Sequence, residues 1–220
     1  MLCPKTAELF DFSHSLAGEE LRKTEYPFEI LGDISRIICE LGATLSEEEF
    51  DLVGENVWIA KSATVAPSAF IAGPCIIGKN TEVRHCAFIR GSALVGDGCV
   101  VGNSTELKNV ILFDGVQVPH YNYVGDSVLG HKAHMGAGSI TSNVKSDKTL
   151  VVIKCDSPVE TNRKKVGAFL GDFAEIGCSS VLNPGTVIGR CASVYPLSSV
   201  RGCVPENGIY KRQGEIAQRK

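Results

Sequence analysis

The sequence predicts a mainly β chain, a parallel β-helix of hexapeptide repeats preceded by an N-terminal α-helical cap, and three observations predict it. Every sixth residue from 59 to 113 is a large apolar side chain: Ile59, Val65, Ile71, Ile77, Val83, Ile89, Val95, Val101, Leu107 and Phe113. A second column, Ala63, Ala69, Cys75, Thr81, Ala87, Ala93, Cys99 and Thr105, holds only small residues. The first fifty residues carry neither column and space Phe28, Leu31, Ile34, Ile38 and Leu41 at helical intervals.

A period of six fits neither an amphipathic helix, whose apolar face recurs at 3.6, nor one half-buried strand, which alternates over only a few residues. Six is a multiple of two, so each hexad is a short strand with a corner. Stacked hexads bury each apolar member against the rungs above and below while the backbones pair. Small residues follow most column members, at Ala60, Ala66, Ala72, Gly78, Gly96 and Gly102, where corners demand tight backbone.

In chain order, residues 1–52 are the helical cap, expected to cover the open first coil and its unpaired strand edges. Ser46 and Glu49 have the spacing of a capping box opening a further short turn. Residues 53–203 are the β-helix, and its period breaks twice. The pattern resumes at Leu129 and Met135, sixteen residues after Phe113, which predicts an excursion near 114–124. It resumes again at Leu170, Ile176, Leu182, Ile188, Val194 and Val200, which predicts a longer, charge-rich excursion near 141–166. Residues 204–220 are a C-terminal tail, basic from Lys211 onward and expected to be a short helix or disordered. Insertions in a solenoid gather on its surface and commonly build its binding face.

A formal net charge of -3 with 44% hydrophobic residues disfavours nucleic acid as a partner. No apolar run approaches the roughly 20 residues that cross a bilayer, and the N-terminus lacks a secretion signal. The expectation is a cytoplasmic protein with no membrane partner. Nine cysteines, odd in number, without a C-x-x-C pair and with Cys75 and Cys99 in the small column, read mostly as small buried fillers in a reducing compartment.

The segments "IRGSALVGDGCVVGNSTELKN", "VPHYNYVGDSVLG" and "HMGAGSITSN" carry a resemblance. They resemble the acetyltransferase domain of the bifunctional glucosamine-1-phosphate acetyltransferase and N-acetylglucosamine-1-phosphate uridyltransferase enzymes. The later "RKKVGAFLGDFAEIGCSSVLNPGTVIG" looks most like the archaeal-type members. Similarity covers about residues 53–203. Isolated "VGD" hexads are common to hexapeptide-repeat proteins, whereas Lys108, His120, Tyr123 and "GAGSIT" in this order are narrower. The resemblance implies a left-handed coil, a homotrimer with sites between subunits, acetyl-CoA as co-substrate, an amino-sugar phosphate as acceptor and no metal requirement. No glycine-rich segment or room for a nucleotide-binding α/β domain precedes the repeats, which disfavours uridyl transfer.

The resemblance also implies site roles. His120 matches the general base, and an imidazole suits proton removal from an attacking amine near neutral pH. Arg90 and Lys108 match phosphate contacts and follow column members at positions otherwise small, with Arg84 expected to add positive potential on the preceding rung. Tyr123 and Asn143 match sugar contacts. His134 and Val144 depart from the bacterial pattern, which has Asn and Tyr there, so His134 either takes over a hydrogen bond or marks a different amine. Gly177 and Cys178 match the site for the thioester end of acetyl-CoA, with Cys178 a structural residue rather than a nucleophile. Arg163, Lys164 and Lys165 are candidates for its nucleotide phosphates.

Two other classes fit the same fold. His120, His131 and His134 offer three imidazoles for a zinc-dependent, carbonic-anhydrase-like lyase. A non-catalytic module that binds sugar nucleotide or assembles is the second, because fold does not fix function.

Overall fold

The computed structural model describes residues 1–218. Short parallel strands wind into a left-handed β-helix with three faces. The first face runs from Val57–Ala60 through Cys75–Ile77 and Ala93–Val95 to Ala168–Leu170, Thr186–Ile188 and Cys203–Val204. The second runs from Thr64–Val65 through Val100–Asn103, Gln117–His120 and His134–Met135 to Gly208–Arg212. The third runs from Phe70–Ile71 through Phe88–Ile89 and Ile140–Thr141 to Ser199–Val200. Glu106–Leu112 and Tyr123–Leu129 bend from the third face onto the first. Turns between faces hold left-handed residues such as Cys86, Ser104, Tyr121 and Ser179.

A regular coil has eighteen residues: Cys75 pairs with Val57, and Ala93 with Cys75. The next two coils have seventeen, Val110 pairing with Ala93 and Ser127 with Val110. No excursion leaves the helix at 114–124, contrary to the sequence reading, because Gln117–His120 pairs with strands on both sides. The period breaks there through the loss of one residue at each of two corners, Lys108–Asn109 and Gly125–Asp126. Leu112 is therefore the inward column member, pairing with Val95 and Leu129. Phe113 takes the corner position that Gly96 and Gly130 hold in adjacent coils. Phe169 pairs with Val128 across forty-one residues, and the extra chain enters and leaves at the corner between the third and first faces. It contains a small hairpin of Val152–Ile153 and Val159–Glu160.

The N-terminal segment holds α1 (Thr6–Leu9), α2 (Gly18–Arg22) and α3 (Ile34–Gly42). It is a lateral strap rather than an end cap. The residues that alternate outward on the first face, Ile76, Leu94, Ile111, Val128, Phe169 and Val187, are at most 1% exposed, and α3 packs on the strands that carry the first three. A fully covered side chain of this size is worth about 1.5–3 kcal/mol, so this face needs its cover. The strap runs from the late coils toward the first. Asp11 donates its N–H to Asp172 Oδ2 (2.8 Å), Asp172 donates its own to the Leu9 carbonyl (3.0 Å), and Asn109 Nδ2 donates to the Leu31 carbonyl (3.1 Å). The strand Phe50–Gly54 then turns antiparallel onto Val57–Ala60 and covers the first edge. Ser46 opens a short turn before that strand, its carbonyl accepting from the Glu49 N–H (3.0 Å) and its Oγ from the Glu48 N–H (3.2 Å).

The C-terminal segment also departs from expectation. Gly208–Arg212 continues the second face and pairs antiparallel with Glu215–Gln218; Arg219 and Lys220 lie outside the described residues. All nine cysteines are free, and the filler reading holds for Cys75 and Cys99 in the core; Cys3 is also buried, but Cys86 and Cys178 are exposed. Among the described residues, no helix is long and apolar enough to cross a membrane.

Candidate active site

The two shortened coils create a connected polar cluster at one edge of the third face. Asp126 sits at a corner with φ of 48°, a conformation that Asp tolerates better than most residues. It is 4% exposed and is surrounded by donors. Lys108 Nζ lies 3.1 Å from Oδ1, Asn109 Nδ2 donates to the same oxygen (2.9 Å), and Asn143 Nδ2 donates to Oδ2 (2.6 Å). Asn143 Nδ2 also donates to Tyr123 Oη (3.1 Å). Gly125 makes room for that contact: a Cβ there would stand 2.5 Å from Tyr123 Oη. Burial first, then the Asp126 and Glu106 carboxylates, push the Tyr123 phenol above its ordinary range.

Arg90 lies one coil earlier at the same edge. It donates to Glu106 Oε1 (2.7 Å), which raises its pKa, and its guanidinium lies 5.9 Å from the centre of the Phe88 ring. Glu106 is the cross-strand neighbour of Tyr123, so Arg90, Lys108, Tyr123 and Asn143 belong to one continuous surface. Arg84 does not join them, because it stands at the end of the second face and pairs with Glu82.

His120 occupies the opposite edge of the third face, at the end of Gln117–His120. Its N–H donates to Asn122 Oδ1 (3.0 Å), and the buried Asn122 anchors itself through Nδ2 to the Gly136 and Ser139 carbonyls. The bend passes through Tyr121 at φ of 51° and leaves the imidazole exposed. Cys178 stands in the same corner column, linked through Gly138 to His120 and through Ser179 to Ala137. Two rungs separate them, about 9–10 Å at the usual strand spacing.

Other residues singled out in the sequence are not brought together. His134 lies on the second face, its Nδ1 2.9 Å from Glu175 Oε2. His131 stacks on His14 with ring centres 3.7 Å apart, so the three imidazoles do not converge. Arg163 docks on the strap, where Nη2 donates to the Glu29 carbonyl (3.3 Å). With Lys164 and Lys165 it lies near the edge opposite Gly177 and Cys178. Sequence reasoning missed Asn109, Asn122 and Asp126. It also missed a cavity of about 440 Å³ beside Asn143, lined by Lys145, Lys154, Asn183 and Arg201 among others. Asn183 and Arg201 continue the edge position of Lys108 in later coils.

The chain is similar to several known proteins. The family described as GMPPB C-terminal domain matches residues 71–154. The bifunctional sugar-1-phosphate nucleotidylyltransferase/acetyltransferase of Sulfurisphaera tokodaii is 31% identical over 102 residues, covering 46% of this chain and 25% of that protein. The bifunctional protein GlmU of Methanococcus vannielii is 33% identical over 111 residues, 50% of this chain and 27% of that protein. The chain thus spans about a quarter of the length of these relatives. A hexapeptide transferase family protein from Anaplasma phagocytophilum aligns at TM-score 0.42 and 18% identity, over 74% of this chain and 80% of that one. Over about half its length, the chain is similar to the C-terminal hexapeptide-repeat part of archaeal-type bifunctional GlmU-like proteins.

Proposed function

We propose that the protein is an acetyl-CoA-dependent N-acetyltransferase acting on an amino-sugar 1-phosphate, glucosamine-1-phosphate or a close relative. The observation that carries this reading is the cluster of Arg90, Lys108, Tyr123 and Asn143 on the face whose other edge presents His120. A phosphate meets Arg90 and Lys108, Tyr123 and Asn143 hold the ring, and His120 takes the proton as the amine attacks the thioester carbonyl. The backbone around Gly177 and Cys178 faces the thioester end, where N–H donors stabilise the oxyanion before the CoA thiolate leaves. Holding two substrates in register supplies several kcal/mol of the barrier. The third face is open in one chain, and a homotrimer closes it with a second copy.

One observation favours a second reading, a sugar-nucleotide-binding or assembly module: both candidate phosphate cations already have carboxylate partners, Glu106 and Asp126. Thiol release from acetyl-CoA across a panel of amino-sugar 1-phosphates separates the two. Turnover is expected, with His120→Ala slowing it by about 10²- to 10⁴-fold at nearly unchanged sugar affinity. No turnover on glucosamine- or galactosamine-1-phosphate selects the binding module.

A further inference from the structure

Outside the third-face cluster, three thiols converge from three parts of the chain. Cys3 belongs to the start of the strap, Cys155 to the inserted segment and Cys203 to the last strand of the first face. Their sulfurs all lie within 4.8 Å of one another, and none is in a disulfide. Among the described residues this is the one group of three or more metal-ligating side chains at such spacing. Three sulfurs around one zinc ion, each at about 2.3 Å, stand about 3.8–4.0 Å apart, so a small contraction completes the site.

The surrounding fold supports that spacing. Gly202, at φ of 85°, precedes Cys203, and a Cβ there would lie 2.5 Å from the Lys154 carbonyl. The insertion therefore docks at a place only glycine allows, bringing Cys155 beside Cys203. Cys75 and Cys99, in contrast, are lone fillers whose thiols burial pushes up, that of Cys99 to about 12. A cavity of about 340 Å³, lined by Cys3, Glu8, Arg190 and Glu206 among others, borders the trio at Cys3.

We propose that Cys3, Cys155 and Cys203 form a thiolate site for zinc that pins the strap and the insertion to the last coil. Thiolates select soft cations over magnesium or calcium, and iron–sulfur clusters take four cysteines. With three protein ligands, water completes a tetrahedral shell. Binding displaces the three thiol protons to solvent and changes no oxidation state. The insertion also carries Asn143 and part of the lining of the 440 Å³ cavity, Lys145 and Lys154 included, so the ion steadies that side of the third face. The inference does not depend on the acetyltransferase reading, since its test involves no turnover.

The test uses the full chain, untagged and reduced, equilibrated with zinc, desalted and analysed for metal by mass spectrometry. Cadmium titration in parallel reads the thiolate charge-transfer band. One zinc per chain and a cadmium-thiolate band are expected. Cys155→Ser and Cys203→Ser should each weaken zinc by more than the roughly 10- to 100-fold that loss of an outer hydrogen-bond partner costs, while Cys86→Ser and Cys39→Ser leave it unchanged. Zinc binding no greater than in the Cys3→Ser/Cys155→Ser/Cys203→Ser triple variant overturns the site. So does wild-type protein that shows no cadmium-thiolate band, a result that does not depend on any variant folding.

Discussion

The reassignment of Phe113 from the inward column to the strap interface makes a sharp stability prediction. Phe113 and Phe10 are 0% and 2% exposed, and their ring centres lie 5.1 Å apart at 32°. Truncating either to Ala costs about 3–5 kcal/mol; at about 2–4 °C per kcal/mol for a chain of this size, that lowers the melting temperature by about 6–20 °C. Truncating both removes about 6–10 kcal/mol, comparable with a whole domain's stability of about 5–15 kcal/mol. The cycle is therefore built with Phe10→Leu and Phe113→Leu, which remove the ring pair but keep apolar volume. Aromatic pairs of this geometry add about 0.5–1.5 kcal/mol beyond area burial. The double variant should be less destabilised than the sum of the singles by that amount, measured by urea unfolding at fixed protein concentration. Additivity within about 0.3–0.5 kcal/mol refutes the contact and returns Phe113 to the interior of the coil.

Gly125→Ala places a methyl 2.5 Å from Tyr123 Oη; the Tyr123–Asn143 bond breaks, and under the proposed function KM for the sugar rises while the circular dichroism spectrum stays the same. Gly202→Ala combines φ of 85° with a clash on the Lys154 carbonyl and costs about 1–3 kcal/mol, read as faster proteolysis within residues 142–167. His131 is neutral-preferring: burial first, then the neighbouring His14, hold its pKa below the free value of about 6.5. A histidine depressed on folding contributes stability that is present above about 6.5 and lost as pH falls through its folded value, so the stability lead of wild type over His131→Gln should shrink from pH 7.5 to pH 5. A lead that grows on acidification contradicts this sign.

The inward half of the fold was legible because a hexad forces one side chain per strand into the coil, and chemistry alone reveals that column. The outward half was not read, although a signal was present. "CII", "ALV" and "AFL" are apolar at three consecutive positions, which an alternating strand exposed on one side does not require. Those triplets mark the strap-covered face, whereas Phe88–Ile89 and Glu175–Ile176 keep an exposed residue before the buried one. The site was legible in the identity of Lys108, Tyr123 and Asn143, but Asp126, which joins them, hides in a "VGD" hexad that reads as generic repeat. The sequence marks Arg163 as a candidate for nucleotide phosphates or as solvated loop charge, and only the folded chain reveals the Glu29 carbonyl to which its Nη2 donates.

The corner between the third and first faces explains why a repeat fold hosts a unique cluster. Eighteen-residue coils stack equivalent atoms, so a side chain at a corner meets its own counterparts above and below and gains no distinct partner. Losing one residue at Asn109 and again at Asp126 breaks that equivalence. Both residues turn in the left-handed region, at φ of 56° and 48°, and the Asp126 carboxylate faces Lys108 from the coil before and Asn143 from the coil after. The insertion enters in the very next coil at that corner. It returns with the Val166 N–H on the Asn143 carbonyl and the Gly167 N–H on the Asp126 carbonyl. Two deletions and one insertion at a single corner thus convert a ladder of like residues into a bounded polar site, and no change inside the hydrophobic column was needed to make it.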